Sequence, residues 1–81
     1  MRVTVLLFAR LRDIAGAGEM NRVVASGTTV ADLWGGLTRE FPELGSYERS
    51  ISTAINAEYA KMDRVVGDGD EVAFLPPVSG G

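Results

Sequence analysis

"GTTVADLWGGLTREFP", residues Gly27 to Pro42, decides the fold class. Thr29, followed three residues later by Asp32, has the form of a capping box at a helix start. Val30, Leu33, Leu37 and Phe41 then repeat at helical spacing, and Pro42 stops the run. Trp34 lies beside that stripe. Gly35 and Gly36 each cost roughly 1 kcal/mol relative to alanine inside an exposed helix; close packing against a sheet would account for them. This is the clearest helix in a chain of 81 residues. The segments around it carry strand patterns, so the class is α+β, with one main helix on one face of a sheet.

Working outward, "RVTVLLF" (Arg2 to Phe8) is rich in β-branched residues and reads as the first strand. "ARLRDIAGAG" (Ala9 to Gly18) reads as a glycine-closed connection with room for one helical turn. "EMNRVVA" (Glu19 to Ala25) is a second strand, antiparallel to the first across a wide loop. After the helix, "ELGSYERS" (Glu43 to Ser50) is an irregular or short helical link. "ISTAINAEY" (Ile51 to Tyr59) is a third strand with a turn at Asn56–Ala57. "KMDRVVGDGD" is expected to hold a short edge strand and a turn, and "EVAFL" (Glu71 to Leu75) is the last strand. Residues 1–75 therefore read as a single domain, and 76–81 as a flexible tail ending in Gly-Gly. The expected core is Val3, Val5, Leu7, Val30, Leu33, Leu37, Phe41, Ile55, Val72 and Phe74.

Composition narrows the function. The chain has no cysteine and no histidine, which removes disulfides, thiolate metal sites, a cysteine nucleophile and the commonest neutral-pH base. A net charge of −3 disfavours non-specific nucleic-acid binding. The apolar run before Arg10 is too short for a membrane span or a signal peptide, and no basic cluster suggests a membrane surface. The expected compartment is the cytoplasm.

Strand parity places Val3, Val5 and Leu7 on one face of the first strand, and Arg2, Thr4, Leu6 and Phe8 on the other. In the last strand Val72 and Phe74 face the helix while Glu71, Ala73 and Leu75 face away. If the two strands are neighbours, Leu6, Phe8, Ala73 and Leu75 make one apolar patch. It reads either as scattered surface hydrophobes, which are ordinary, or as a partner-binding face.

Pro76 and Pro77 cannot donate ladder hydrogen bonds, so they end the sheet and keep the exit extended. Val78 and Ser79 follow, then Gly80 and Gly81, which carry no side chains. Such an ending is either a frayed terminus or a thin thread that presents the Gly81 carboxylate to a remote active site. "GDGDE" (Gly67 to Glu71) lacks the full calcium-loop pattern and reads as a turn. "GAG" (Gly16 to Gly18) is no phosphate loop, because no Gly-Lys-Ser/Thr follows. Arg10 and Arg12 suit either a solvated loop or an acidic partner surface. Lys61 reads as an exposed turn lysine.

The whole chain resembles the ubiquitin-like sulfur carrier family, and within it the small subunit of molybdopterin synthase. The resemblance rests on "GDGDEVAFLPPVSGG" (Gly67 to Gly81), "LLFARLRDIAG", "TVADLW" and "AINAEY". Trp34 and the Gly35–Gly36 pair stand outside it. The resemblance implies a β-grasp fold with a mixed four- to five-stranded sheet. It implies a non-catalytic sulfur-donor subunit of a heterotetramer, whose active-site chemistry comes from the large subunit. An E1-like activating enzyme would spend ATP to adenylate Gly81, a sulfur donor system would convert the acyl-adenylate to a thiocarboxylate, and the large subunit would pass that sulfur to precursor Z (cyclic pyranopterin monophosphate) to build the dithiolene. No cofactor is expected on the chain itself. The family also contains carriers for thiazole or cysteine synthesis and ubiquitin-like protein modifiers, which are the alternative reading.

Overall fold

The computed structural model describes residues 1–77. Five strands form one sheet: β1 (Arg2–Leu7), β2 (Glu19–Val23), β3 (Ser52–Ile55), β4 (Glu58–Tyr59) and β5 (Glu71–Leu75). Their order is β2-β1-β5-β3-β4. β1 and β5 are parallel, and the other neighbours are antiparallel. The last strand therefore fills the centre of the sheet, in the mixed architecture expected for a β-grasp domain.

Helix α2 (Val30–Glu40) begins as the sequence specifies. The Thr29 N–H donates to Asp32 Oδ2 at 3.0 Å, and the Asp32 N–H donates to Thr29 Oγ1 at 3.1 Å. The other early N–H groups of a helix need outside acceptors. Val30 N–H donates to the Arg64 carbonyl at 2.9 Å and Ala31 N–H to the Met62 carbonyl at 2.8 Å. The edge strand expected in "KMDRVVGDGD" is thus replaced by a strap whose backbone serves the helix start. Val65 makes a single bridge to Thr29, and the edge strand is β4 instead.

One face of α2 enters the core through Val30, Leu33, Trp34 and Leu37, the i, i+3, i+4, i+7 set. These pack with Val3, Val5, Leu7, Ile55, Val72 and Phe74. Two expectations about α2 need correction. Trp34 belongs to the buried stripe rather than beside it, and Phe41, the residue past the helix end, is half-buried. The glycine pair does not relieve close packing against the sheet: a Cβ at Gly35 or Gly36 would meet nothing nearer than Arg39, at 3.8 and 3.9 Å.

The connections contribute more than expected. "ARLRDIA" forms a second helix, α1 (Ala9–Ala15), which buries Leu11 and ends on Gly16 in the left-handed region at φ 77°. A 3₁₀ helix, Pro42–Tyr47, buries Leu44. The Asn56–Ala57 turn joins β3 to β4 with both residues at positive φ, 51° and 69°, as a two-residue hairpin requires. The one buried polar side chain in the described core, Thr53, donates its hydroxyl to the Ala60 carbonyl.

Candidate functional site

β5 carries its two characters in alternation. Val72 and Phe74 are fully buried beneath α2, while Ala73 and Leu75 point to the other face. The register then lines up one row across that outer face. Leu6 pairs with Ala73, Ala73 with Ala54, and Ala54 with Tyr59. Leu75, opposite Ser52, lies two residues farther along β5. Leu6, Ala73 and Ala54 are half-buried, whereas Leu75 is 36% and Tyr59 75% exposed. The outer face therefore presents an apolar row that ends in an open phenol ring.

Phe8 follows the last β1–β5 pair, Leu7 with Phe74. It is the extended N-cap of α1, and its carbonyl accepts from the N–H groups of Leu11 and Arg12. Ala9, directly after it, has φ 50°, a left-handed conformation that costs a non-glycine residue about 1–2 kcal/mol. This sharp turn ends the strand and leaves Phe8 43% exposed. Leu6 and Phe8 then share an open groove of about 470 Å³ with Ala9, Arg12, Gly18 and Glu19. A Cβ at Gly18 would lie 3.2 Å from Arg12 Cδ, so the glycine makes room for the arginine stem.

The structure thus brings Leu6 and Ala73 into direct register, puts Phe8 in a groove with Leu6, and sets Leu75 on the same face. Pro76 is half-buried and Pro77 exposed as the chain leaves β5. The expectations placed on Val78, Ser79, Gly80 and Gly81 lie outside the described residues. The two arginines separate: Arg12 borders the apolar groove, while Arg10 lines a different depression with Ile14, Pro42 and Tyr47. Ala54 and Tyr59 complete the row and were not reached by sequence reasoning. Finding them needs the β3–β5 and β3–β4 registers, which parity within one strand does not supply.

"GDGDE" is a turn into β5, with both aspartate carboxylates engaged in the fold. Asp68 Oδ1 accepts from the Arg2 N–H at 2.9 Å. Asp70 accepts from the Gly67 N–H at 2.6 Å and from Asn56 Nδ2 at 3.0 Å, and Asn56 Oδ1 accepts from the Glu71 N–H at 3.0 Å. These bonds tie the β3–β4 hairpin to the start of β5. Among the described residues no cluster of acidic side chains has the makings of a metal site, and no helix is long and apolar enough to cross a membrane.

Residues 5–81 match the ThiS family. The chain belongs to that family. Two similar relatives carry the name molybdopterin synthase sulfur carrier subunit. One, from Mycobacterium tuberculosis, is 37% identical, with 100% of this chain and 99% of the relative covered. The other, from Arabidopsis thaliana, is 35% identical over 100% of this chain and 84% of its own length. The crystal structure of SAMP1 from Haloferax volcanii superposes with a TM-score of 0.85 at 31% identity, both chains being covered in full. The ubiquitin-like β-grasp fold and the family expected from the sequence are both borne out.

Proposed function

We propose that the chain is the sulfur carrier and donor subunit of a molybdopterin synthase. The observation that carries this reading is the central position of β5, which sends Pro76 and Pro77 out of the sheet beside the Leu6–Ala73–Ala54–Tyr59 row. The row offers a docking face next to the tail, and the names of the relatives supply the chemistry that such a tail would serve.

A carboxylate is a poor electrophile. An E1-like partner would join the Gly81 carboxylate to the AMP part of ATP, releasing pyrophosphate. Sulfur from a donor system would then displace AMP and leave a thiocarboxylate. The large subunit would bind the apolar face, take the tail into its own active site and pass the sulfur to precursor Z. A chain with neither cysteine nor histidine suits this division of labour, because the sulfur rides on the main chain and the partners supply acid–base groups and ATP binding. Binding would draw on burial of the apolar row, at about 25 cal/mol per Å² before association costs.

The test is the intact mass of the chain after incubation with an activating enzyme, ATP and a sulfur source. Exchange of one oxygen for sulfur at Gly81 is expected. Deleting Gly81, or adding a residue after it, should leave the fold intact and abolish the exchange. Normal charging of the extended variant would overturn the proposal. The likeness to SAMP1, a name for a modifier among the relatives, favours one second reading, a ubiquitin-like protein modifier. That reading requires an isopeptide bond from Gly81 to a lysine of a target, visible by peptide mass spectrometry.

A further inference from the structure

Amines are scarce on this chain. Of its eight basic side chains all but one are arginines, and the single lysine is Lys61. A guanidinium stays protonated in proteins, so the arginines offer no nucleophile. The other amine, at Met1, is tied into the sheet. It donates to the Val24 carbonyl at 2.8 Å, and the Met1 carbonyl accepts from the Val24 N–H at 2.8 Å. Lys61 is exposed and has no carboxylate within ion-pair distance among the described residues.

The sheet sets these two amines at opposite ends. β1 and β5 are parallel, with Leu7 beside Phe74. Continuing that register brings Phe8 level with Leu75, the last residue of β5. Met1 lies roughly 23 Å back along the sheet from Phe8, at about 3.3 Å per residue. Lys61 stands at the end where the tail leaves, because β4 and β5 both run antiparallel to β3. Leu75 pairs with Ser52, and Ala54 with Tyr59. The Ala60 N–H donates to the Thr53 carbonyl at 2.9 Å, which carries the β3–β4 register one residue past β4. The next position on that register sets Lys61 opposite Ser52, and both border one open groove of about 290 Å³.

Leu75, Ser52 and Lys61 thus form a row across three neighbouring segments. Adjacent strands lie about 4.8 Å apart, so roughly 10 Å separates β5 from the backbone of Lys61. Alternation puts Lys61 on the outer face: Tyr59 is exposed, Ala60 is buried, and Lys61 is exposed again. Leu75 and Ser52 are exposed on that face as well. The segment from Pro76 to Gly81 follows Leu75 and spans at most about 20 Å. That length covers the row with enough left over to double back. It falls short of Met1.

We propose that Lys61 is the intramolecular acceptor for the activated C-terminus. The inference rests on the adenylation of Gly81 proposed above. In the acyl-adenylate the Gly81 carbonyl carbon is an electrophile, and the deprotonated Lys61 Nζ attacks it. The C–N bond forms, the C–O bond to AMP breaks, AMP leaves, and the proton on nitrogen passes to water. Nothing is oxidised or reduced. The product is an isopeptide ring closed between Lys61 and Gly81, one water lighter than the free chain. A short flexible tether gives the amine an effective concentration on the order of millimolar. A sulfur donor must therefore outcompete Lys61. A chain activated without sulfur is retired, since the ring has no free terminal carboxylate left to charge.

The test incubates the full chain with an activating enzyme and ATP, with and without a sulfur source. Without sulfur, the intact mass should fall by one water, and tryptic mapping should find Lys61 and Gly81 joined in one branched peptide. With sulfur, the thiocarboxylate should appear and the ring should diminish. Lys61→Arg should take up sulfur and show no loss of water. Arg2 is exposed on the same face at the far end of β1. The double variant Lys61→Arg with Arg2→Lys moves the lysine there, and its ring formation should be at least about tenfold slower. The proposal is overturned if the wild type takes up sulfur yet loses no water without it, an outcome that leaves the carrier reading standing. It is also overturned if isopeptide-linked dimers form in place of the ring, or if the relocated lysine reacts as fast as Lys61. Absence of both sulfur uptake and water loss overturns the carrier reading along with it.

Discussion

The indole of Trp34 and the ring of Phe74 pack with their centroids 5.1 Å apart and their planes tilted by 40°. This pair joins the middle of α2 to the central strand. Phe74→Ala should therefore cost about 3–5 kcal/mol, and Trp34→Ala a similar amount. Trp34→Phe should behave differently. The Trp34 Nε1–H is buried without an acceptor, and a buried donor left unpaired costs about 1–3 kcal/mol. Phenylalanine removes that donor along with some apolar area, so the net change should stay within about 1 kcal/mol. Urea midpoints followed by circular dichroism check this. Equal losses for Trp34→Phe and Trp34→Ala would show that the indole N–H does have a partner.

Leu75→Arg separates folding from docking. Leu75 is exposed at the end of β5, so the thermal midpoint should move by no more than the equivalent of about 0.5 kcal/mol. If the outer face docks partners as proposed, affinity for both the activating enzyme and the large subunit should fall by about 2 kcal/mol or more. Calorimetric titration of one preparation against each partner tests it. Unfolding of the variant would place Leu75 in the core, and unchanged affinities would move the interface elsewhere.

The capping box at the start of α2 gives a pH signature. The backbone and hydroxyl bonds to Thr29 hold the Asp32 carboxyl below the ordinary aspartate value of 3.8. A lowered folded value means that the carboxylate form stabilises the native state above that ordinary value. The contribution is lost as pH falls through the folded value. Asp32→Ala should therefore be less stable than the wild type at neutral pH, and the gap should close as pH drops below 3.8. Thr29→Ala should cost about 1 kcal/mol at neutral pH. Urea unfolding at a series of pH values would show a constant gap if Asp32 titrates alike in both states.

Ala57 is exposed in the hairpin turn with φ 69°. A left-handed alanine costs about 1–2 kcal/mol, and glycine returns part of that gain as unfolded-state entropy. Ala57→Gly should stabilise the domain by about 0.5–1 kcal/mol, raising the melting temperature by a few degrees. A lower midpoint would contradict the left-handed turn.

Local signals read well from sequence, and distant ones did not. Thr29 and Asp32 lie within four residues, so their bond is written in the chain. The same holds for strand parity, which separated Val72 and Phe74 from Ala73 and Leu75. Trp34 stands four residues after Val30, so the i, i+4 spacing that places it in the buried stripe is itself local. Leu11 and Leu44 are single leucines in polar, glycine-bearing stretches. Their burial depends on where the sheet stands, which no window around them contains. Phe41 keeps the helical spacing, but the helix stops at Glu40, and past the turn at φ −127° it packs against the core only half-buried. The apolar row depends on two cross-strand registers at once, so half of it, Leu6 and Ala73, was found and the other half was not.

The central placement of β5 also governs when the chain can fold. Its partners are β1, which precedes every other element, and β3, and neither touches the other in the strand order. During synthesis the β1–β2 hairpin and α2 have no finished sheet to close upon until residue 75 has emerged. Pairings between chain ends close slowly, since most of the loop entropy must be lost before they form. A nascent or truncated copy that lacks β5 would therefore leave the face of α2 uncovered and fall to proteolysis. Selection by folding would then favour copies that hold the strand bearing Pro76 and Pro77 in place.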